Sequence, residues 1–517
     1  MLVYFSLSLY ILVPIAALYL RKQKSDEGKI WLLFLGSGFL AFILLFLNPI
    51  SLDRSDSPYI WYSSSSLILT FALQWEKTAW TLQVFFGFFV ILFLAQSYLE
   101  REKQSLSIRE MSFIWFAAAF GIMGLISNQL YFLISLFFCL DSLQLIDRFL
   151  DTHELFPQRW QIMSTILRLI SVVMMLLVAT WVDINETFLQ STNHFLMIGS
   201  ILLIRIAAQF LDSIHEDRGS DFLGELIALI NALFLLKMLS ILPQMVNLNK
   251  TVEITLWGVS VLLILGFVYL WIRRSRKNKG IIFSTTLAIL FGSCFFLKGV
   301  REEMLFLILP IFFSLINPLL NNHGKASEVI TALFEGIFLI GYTFSPLYFL
   351  NKSVLISSPV DFSVILLLVL EGFYLACFFL PKIKPHQKLT DESLLPSLIW
   401  VLILVTLFVV LKGFLPLEPF GQISWLAFLP WIGLALILLS PLVFSRRKTD
   451  IEKDNFQIIR PTTRIFNQIV HLALIIVNIM RQVFEGTSAL LEGKGGLVWA
   501  IIFLVLLLTF YKGLAQI

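Results

Sequence analysis

Six ionisable side chains stand inside long apolar runs: Asp141, Arg168, Arg205, Lys237, Glu335 and Glu371. A charge among hydrocarbon groups costs about 3 kcal/mol even on insertion scales, so such residues mark ion or proton paths unless they are paired or reach water. Arg205, Gln209, Asp212 and Glu216 follow i, i+4, i+7 and i+11, one continuous stripe along one helix face. That polar seam suits one leg of a hydrated proton path, and equally an intrahelical pairing that neutralises Arg205. Asp141, Gln144 and Arg148 form a second stripe at i, i+3 and i+7, close enough to a helix end for snorkelling to the headgroups. Glu371 lies near the centre of its run with Tyr374 about one turn on; it must be protonated, paired or hydrated. Arg168, Glu335 and Lys237 lie nearer their ends, where interfacial anchoring explains them at least as well.

Pro346 interrupts another apolar run, in Gly341-Tyr342-Thr343-Phe344-Ser345-Pro346, with Lys352 just beyond. A proline frees backbone carbonyls that neighbouring chains or water must satisfy, and broken helices of this kind line ion paths in transporters; a plain packing kink is the simpler reading. The six histidines fall in loops or in a C-terminal amphipathic stretch, none paired at i, i+4, so a haem role is not supported. Cys139, Cys294 and Cys377 sit singly within apolar runs, without the spacing of a disulfide framework, zinc site or iron–sulfur site. No catalytic triad order, phosphate-binding glycine loop or nucleic-acid signature is present. The expectation is a chain with no cofactor or metal of its own.

The elements that must hold these residues are membrane helices. The 517 residues are 58% hydrophobic and 14% charged, with a mean hydropathy of +0.87, too apolar for a wettable globular surface. Apolar runs long enough to cross about 30 Å of hydrocarbon recur along the chain. The pattern predicts spans near 1–20, 30–49, 78–98, 111–126, 129–146, 160–182, 195–212 and 222–241, then 253–272, 280–298, 304–320, 327–350, 361–381, 393–415, 424–444 and 497–515. The first run has no basic segment ahead of it and no small-residue cleavage signal, so it reads as a retained helix. The stretch from Asp53 to Ser66 is rich in turn formers and reads as an external hairpin or strand.

Lys and Arg alternate between successive loops. Arg21–Lys29, Arg101–Arg109, Arg148–Arg159, Arg273–Lys279, Lys382–Lys388 and Arg446–Arg460 share one side, roughly two dozen basic residues against about six. The rule puts those loops in the cytoplasm and the N-terminus outside. Between Arg464 and Gln482 the polar residues occupy about 140° of the helical circumference, opposite Ile465, Ile469, Leu472, Ile475, Ile476 and Ile479, an amphipathic helix expected to lie along a membrane or protein surface. The expected division is a transmembrane core over 1–444, a basic linker and lateral helix over 445–496, and an anchoring span over 497–517. The fold class is therefore all-α and polytopic, with about 15–16 transmembrane helices.

This layout resembles the antiporter-like proton-translocating subunits of respiratory complex I, membrane-bound hydrogenases and multisubunit cation/proton antiporters. The ending Ala489-Leu490-Leu491-Glu492-Gly493-Lys494-Gly495-Gly496-Leu497-Val498-Trp499 is similar to that of several such proteins. Ser127-Asn128-Gln129-Leu130 resembles the start of their fifth helix, Ala207-Ala208-Gln209 part of the seventh, and Gly341 to Lys352 the broken twelfth. The departures bear on mechanism. Phe137 stands where the family carries a glutamate, with Asp141 one turn further on; Ile206 replaces the seventh-helix lysine, with Arg205 adjacent; Asn231 and Lys237 lie near the eighth-helix basic position. A guanidinium stays protonated at physiological pH, so Arg205 can bias a proton path but not relay protons as a lysine does.

The resemblance implies a divergent, non-catalytic membrane subunit of a larger oxidoreductase or antiporter complex, in the prokaryotic cytoplasmic membrane. Its partners would be other membrane subunits and the bilayer, with no nucleic acid. Path candidates are Asp141, Arg205, Gln209, Asp212, Lys237, Glu335, Lys352 and Glu371, with Pro346 as the helix break. Two other classes stand beside this one: a lipid-linked sugar flippase or glycosyltransferase, against which the short, charge-poor external loops count, and a solitary secondary transporter.

Overall fold

Helices α1 (Leu2–Lys22) and α2 (Glu27–Phe46) open the chain and show how its apolar residues are divided. Leu7, Tyr10, Val13 and Ala17 of α1 are buried, whereas Tyr4, Phe5, Leu12, Ile15, Leu18 and Tyr19 are exposed. A helix with one apolar face packed and another apolar face open suits a hydrocarbon surround, where no polar outer face is needed. The short connection brings α1 against α2, and the Ser6 hydroxyl donates to the Ala41 carbonyl at 2.9 Å.

The computed structural model describes residues 2–23, 27–47, 59–63, 68–71, 77–99, 107–127, 129–151, 159–184, 192–215, 222–242, 279–301, 303–312, 346–357 and 362–379. The expected spans at 253–272, 393–415, 424–444 and 497–515, the lateral helix and Glu335 lie outside the described residues. All described helices belong to one compact unit, Met1–Trp61 with Leu69–Leu438; a second unit comprises Tyr62–Ile68 and Leu439–Ile517. Strands β1 (Tyr59–Ser63) and β2 (Ile68–Phe71) pair in a two-stranded sheet, the second strand lying beyond the turn-rich stretch.

The remaining elements are α3 (Lys77–Leu99), α4 (Ile108–Ile126), α5 (Leu130–Asp151), α6 (Arg159–Ile184), α7 (Thr192–His215), α8 (Phe222–Ile241) and α9 (Lys279–Leu297). A 3₁₀ segment (Glu303–Ile308), α10 (Pro346–Ser357) and α11 (Phe362–Phe379) complete them. Six of these helices are long and apolar enough to cross a membrane. The chain is an all-α polytopic membrane protein apart from the small hairpin.

Helix α8 is the axis of the unit. Every residue from Leu226 to Leu239 is buried, and the helix packs on α4, α5, α9 and the 3₁₀ segment. A helix apolar around its whole circumference belongs at the centre of such a bundle. Its neighbour α4 starts at a capping box: the Glu110 N–H donates to Ser107 Oγ at 3.2 Å and the Ser107 N–H to Glu110 Oε2 at 2.7 Å. Gly124 on α4 lets the Phe234 ring of α8 press against the α4 backbone, where a Cβ would collide with it. Helix α9 ends at Gly299, with φ of 80°; the Val300 N–H reaches the Phe295 carbonyl at 3.1 Å and the Gly299 N–H that of Phe296 at 3.0 Å. This Schellman closure turns the chain at once into the 3₁₀ segment.

Candidate functional site

Asp141 is nearly three turns from the end of α5, and its carboxylate receives guanidinium groups from two other helices. On one side is Arg205 of α7: Nη1 donates to Oδ1 at 2.9 Å, and Nη2 lies 2.8 Å from Oδ2 as a close ion-pair contact. On the other is Arg168 of α6, whose Nη1 donates to the same Oδ1 at 3.2 Å and also to Gln144 Oε1. Gln144 stands one turn beyond Asp141 on the α5 face. Exposure is 5% at Asp141, 4% at Arg168 and 1% at Arg205, so all three charges are held away from the surface.

Phe137, one turn before Asp141, completes this group. The Arg205 guanidinium carbon lies 4.5 Å from the Phe137 ring centroid, a cation–π arrangement, and that ring also meets Phe234 of α8 in a T-shaped contact at 5.1 Å. Arg205, Phe137 and Phe234 thus link α7, α5 and α8 through successive contacts. The phenyl ring at the position where a carboxylate was expected is therefore not an inert filling; it supports the cation that Asp141 neutralises.

Arg205 pairs across helices, with a residue 64 positions earlier. Arg168 turns inward to the same carboxylate instead of anchoring at an interface. Gln209 is buried on α7, one turn past Arg205; Asp212 belongs to the same helix, its side chain outside the described residues, and Glu216 lies outside them altogether. Lys237 is 1% exposed on α8, with Asn231 buried on the same helix.

Two further buried polar residues lie on α10 and α11. Glu371 of α11 is fully buried, and Asn351 of α10 is buried as well; α10 begins at Pro346 and packs against both α11 and the 3₁₀ segment. Lys352, half-buried, follows Asn351. Asn351 was not singled out in the sequence; its one signal is its place beside Lys352, five residues after the helix-breaking proline. Among the described residues no group of three or more His, Cys, Asp or Glu is placed to hold a metal ion.

No protein-family model and no curated protein sequence matches the chain. Solved structures do. One is a chain of the Mrp complex from Dietzia sp. DQ12-45-1b, with a TM-score of 0.58 at 11% identity, covering all of this chain and 63% of that one. Another is a chain of the membrane-bound sulfane sulfur reductase, an archaeal respiratory membrane complex, with a TM-score of 0.59 at 12% identity, covering 98% of this chain and 100% of that one. The chain shares its fold with these two chains of membrane complexes. Within this fold, α5 carries Asp141 and α7 carries Arg205. The chain spans about two thirds of the Mrp chain it matches, and the whole of the reductase chain.

Proposed function

We propose that the protein is a divergent antiporter-like membrane subunit of a redox-linked, ion-translocating complex. The observation that carries this reading is the buried ion group of Asp141, Arg168 and Arg205, joining three adjacent helices of the antiporter-like fold. Burying three charges is costly, and a helix bundle held by apolar packing alone has no need of them. In this reading Asp141, Arg205, Gln209, Asp212, Lys237, Glu335, Lys352 and Glu371 are the charged axis. Arg205 sets its electrostatics, and the titratable lysines and carboxyl groups exchange the protons. Pro346 opens the helix that carries Asn351 and Lys352 and packs against the helix of Glu371. The membrane is the prokaryotic cytoplasmic membrane, with the N-terminus outside, and the lateral helix over Arg464–Gln482 braces neighbouring subunits. The respiratory assembly named for one structural neighbour favours a redox-linked partner set.

Affinity purification of the tagged protein in mild detergent tests this. Other antiporter-like or redox subunits should co-purify, and the assembly reconstituted in vesicles should acidify or alkalinise their interior when energised. A protein that purifies alone, yet moves a solute across the membrane, would replace this reading with that of a secondary transporter; one that purifies with cell-wall sugar enzymes would replace it with a lipid-linked sugar function.

A further inference from the structure

The hairpin of α1 and α2 presents an outer face that ends in cations. On α1, Phe5, Leu12, Ile15 and Tyr19 are each more than half exposed, and at 1.5 Å per residue the helix rises about 21 Å between the first and the last of them. That is most of a hydrocarbon core of about 30 Å, so the exposed Arg21 and Lys22 that follow fall at headgroup level. The short connection returns the chain to the same end, where Lys29 is exposed in the first turn of α2. Glu27 is exposed there as well, which leaves these four side chains with two net positive charges; Lys24 and Asp26 between them offset each other. Leu32, Gly36 and Leu40, all exposed, follow at i, i+4 and i+8 along one face of α2, and a Cβ added at Gly36 would meet nothing within 4 Å. The apolar face therefore carries a recess of side-chain depth between two leucines.

We infer that this hairpin is a binding site for an anionic phospholipid, its phosphate held among Arg21, Lys22 and Lys29 and an acyl chain lying along the Leu32, Gly36 and Leu40 face. The charge decides the occupant. A zwitterionic headgroup brings its own cation, whereas an anionic one is drawn to exposed basic side chains at headgroup depth, about fivefold in affinity for each Lys or Arg near the surface. The inference needs the membrane fold alone and is independent of what the protein translocates.

The test is photo-crosslinking of the purified full-length chain, with whatever subunits co-purify, in vesicles of phosphatidylcholine and phosphatidylglycerol in equal parts. A trace of either lipid carries a diazirine in its acyl chain, and the labelled peptides are mapped. The phosphatidylglycerol probe should label the outer faces of α1 and α2 about tenfold more than the phosphatidylcholine probe, and high salt should shrink that ratio. R21Q/K22Q/K29Q changes exposed side chains only and should bring the two probes to equal labelling on this hairpin while labelling elsewhere stays as in the wild type. Equal labelling by the two probes in the wild type overturns the site without recourse to any variant. So does a ratio unchanged in R21Q/K22Q/K29Q, and so does a hairpin that neither probe reaches, which would mean that a partner subunit covers this face.

Discussion

Arg205 lies over the face of Phe137, its guanidinium carbon 4.5 Å from the ring centroid, while its fork closes on Asp141 one turn further along α5. The stack and the fork both depend on a planar, delocalised cation. Arg205→Lys keeps the charge and loses both geometries. It is expected to destabilise the protein by about 2 kcal/mol, read as a lower melting temperature in detergent. A lysine variant as stable as the parent would show that charge alone suffices there.

Removing the shared carboxylate should cost more than weakening one of its partners. Asp141→Asn leaves two buried guanidiniums without their anion, an expected loss of about 3–5 kcal/mol. Combined with Arg205→Gln, the loss should fall short of the sum of the single losses, because the second change removes a charge that the first had stranded. A denaturation series on the two single variants and the double variant measures that coupling; strict additivity would mean that the pair does not interact.

The close approach of α4 and α8 at Gly124 and Phe234 gives a steric prediction. Gly124→Ala places a methyl group against the Phe234 ring and should cost about 1–3 kcal/mol. Phe234→Leu should restore part of it, only part because the ring also supports Phe137. Melting temperatures of the single and double variants separate relief from simple addition.

At the start of α4, Ser107→Ala removes the acceptor for the Glu110 N–H, for an expected cost of about 1 kcal/mol. Amide hydrogen exchange in the first turn of α4 should quicken while the buried middle of the helix, around Trp115 and Ala118, stays protected.

For Glu371 the expected signature is functional. Glu371→Gln keeps the size and shape of the buried side chain, so the fold should hold. Under the proposed function, ion translocation by the reconstituted assembly should fall at least tenfold, about 1.4 kcal/mol of barrier. Undiminished translocation would remove Glu371 from the path.

Much of the architecture could be read along the chain. Each described helix from α1 to α8 overlaps an expected span, since about twenty apolar residues in a row satisfy a bilayer through composition and length alone. Asp141 and Arg205 could be singled out for the same reason: a charge amid apolar neighbours needs an explanation wherever it sits. Helical periodicity also gave the stripe that Asp141 shares with Gln144.

That Asp141, Arg168 and Arg205 meet could not be read there. They are 27 and 64 residues apart in sequence, on three helices, and periodicity says which residues share a face of one helix but not which faces of two helices meet. Rotation and height of each helix are set by non-local packing, such as the Phe234 ring against Gly124 and Phe137. Depth alone made Arg168 look like an interfacial anchor; the rotation of α6 turned it inward. Phe137 looked like a lost carboxylate until α7 brought a guanidinium over its ring. The sequence alone determined that this chain lives in a membrane and which of its charges are costly there. The tertiary structure decided which of those charges share one another's cost, because only packing between helices places a carboxylate within reach of two arginines.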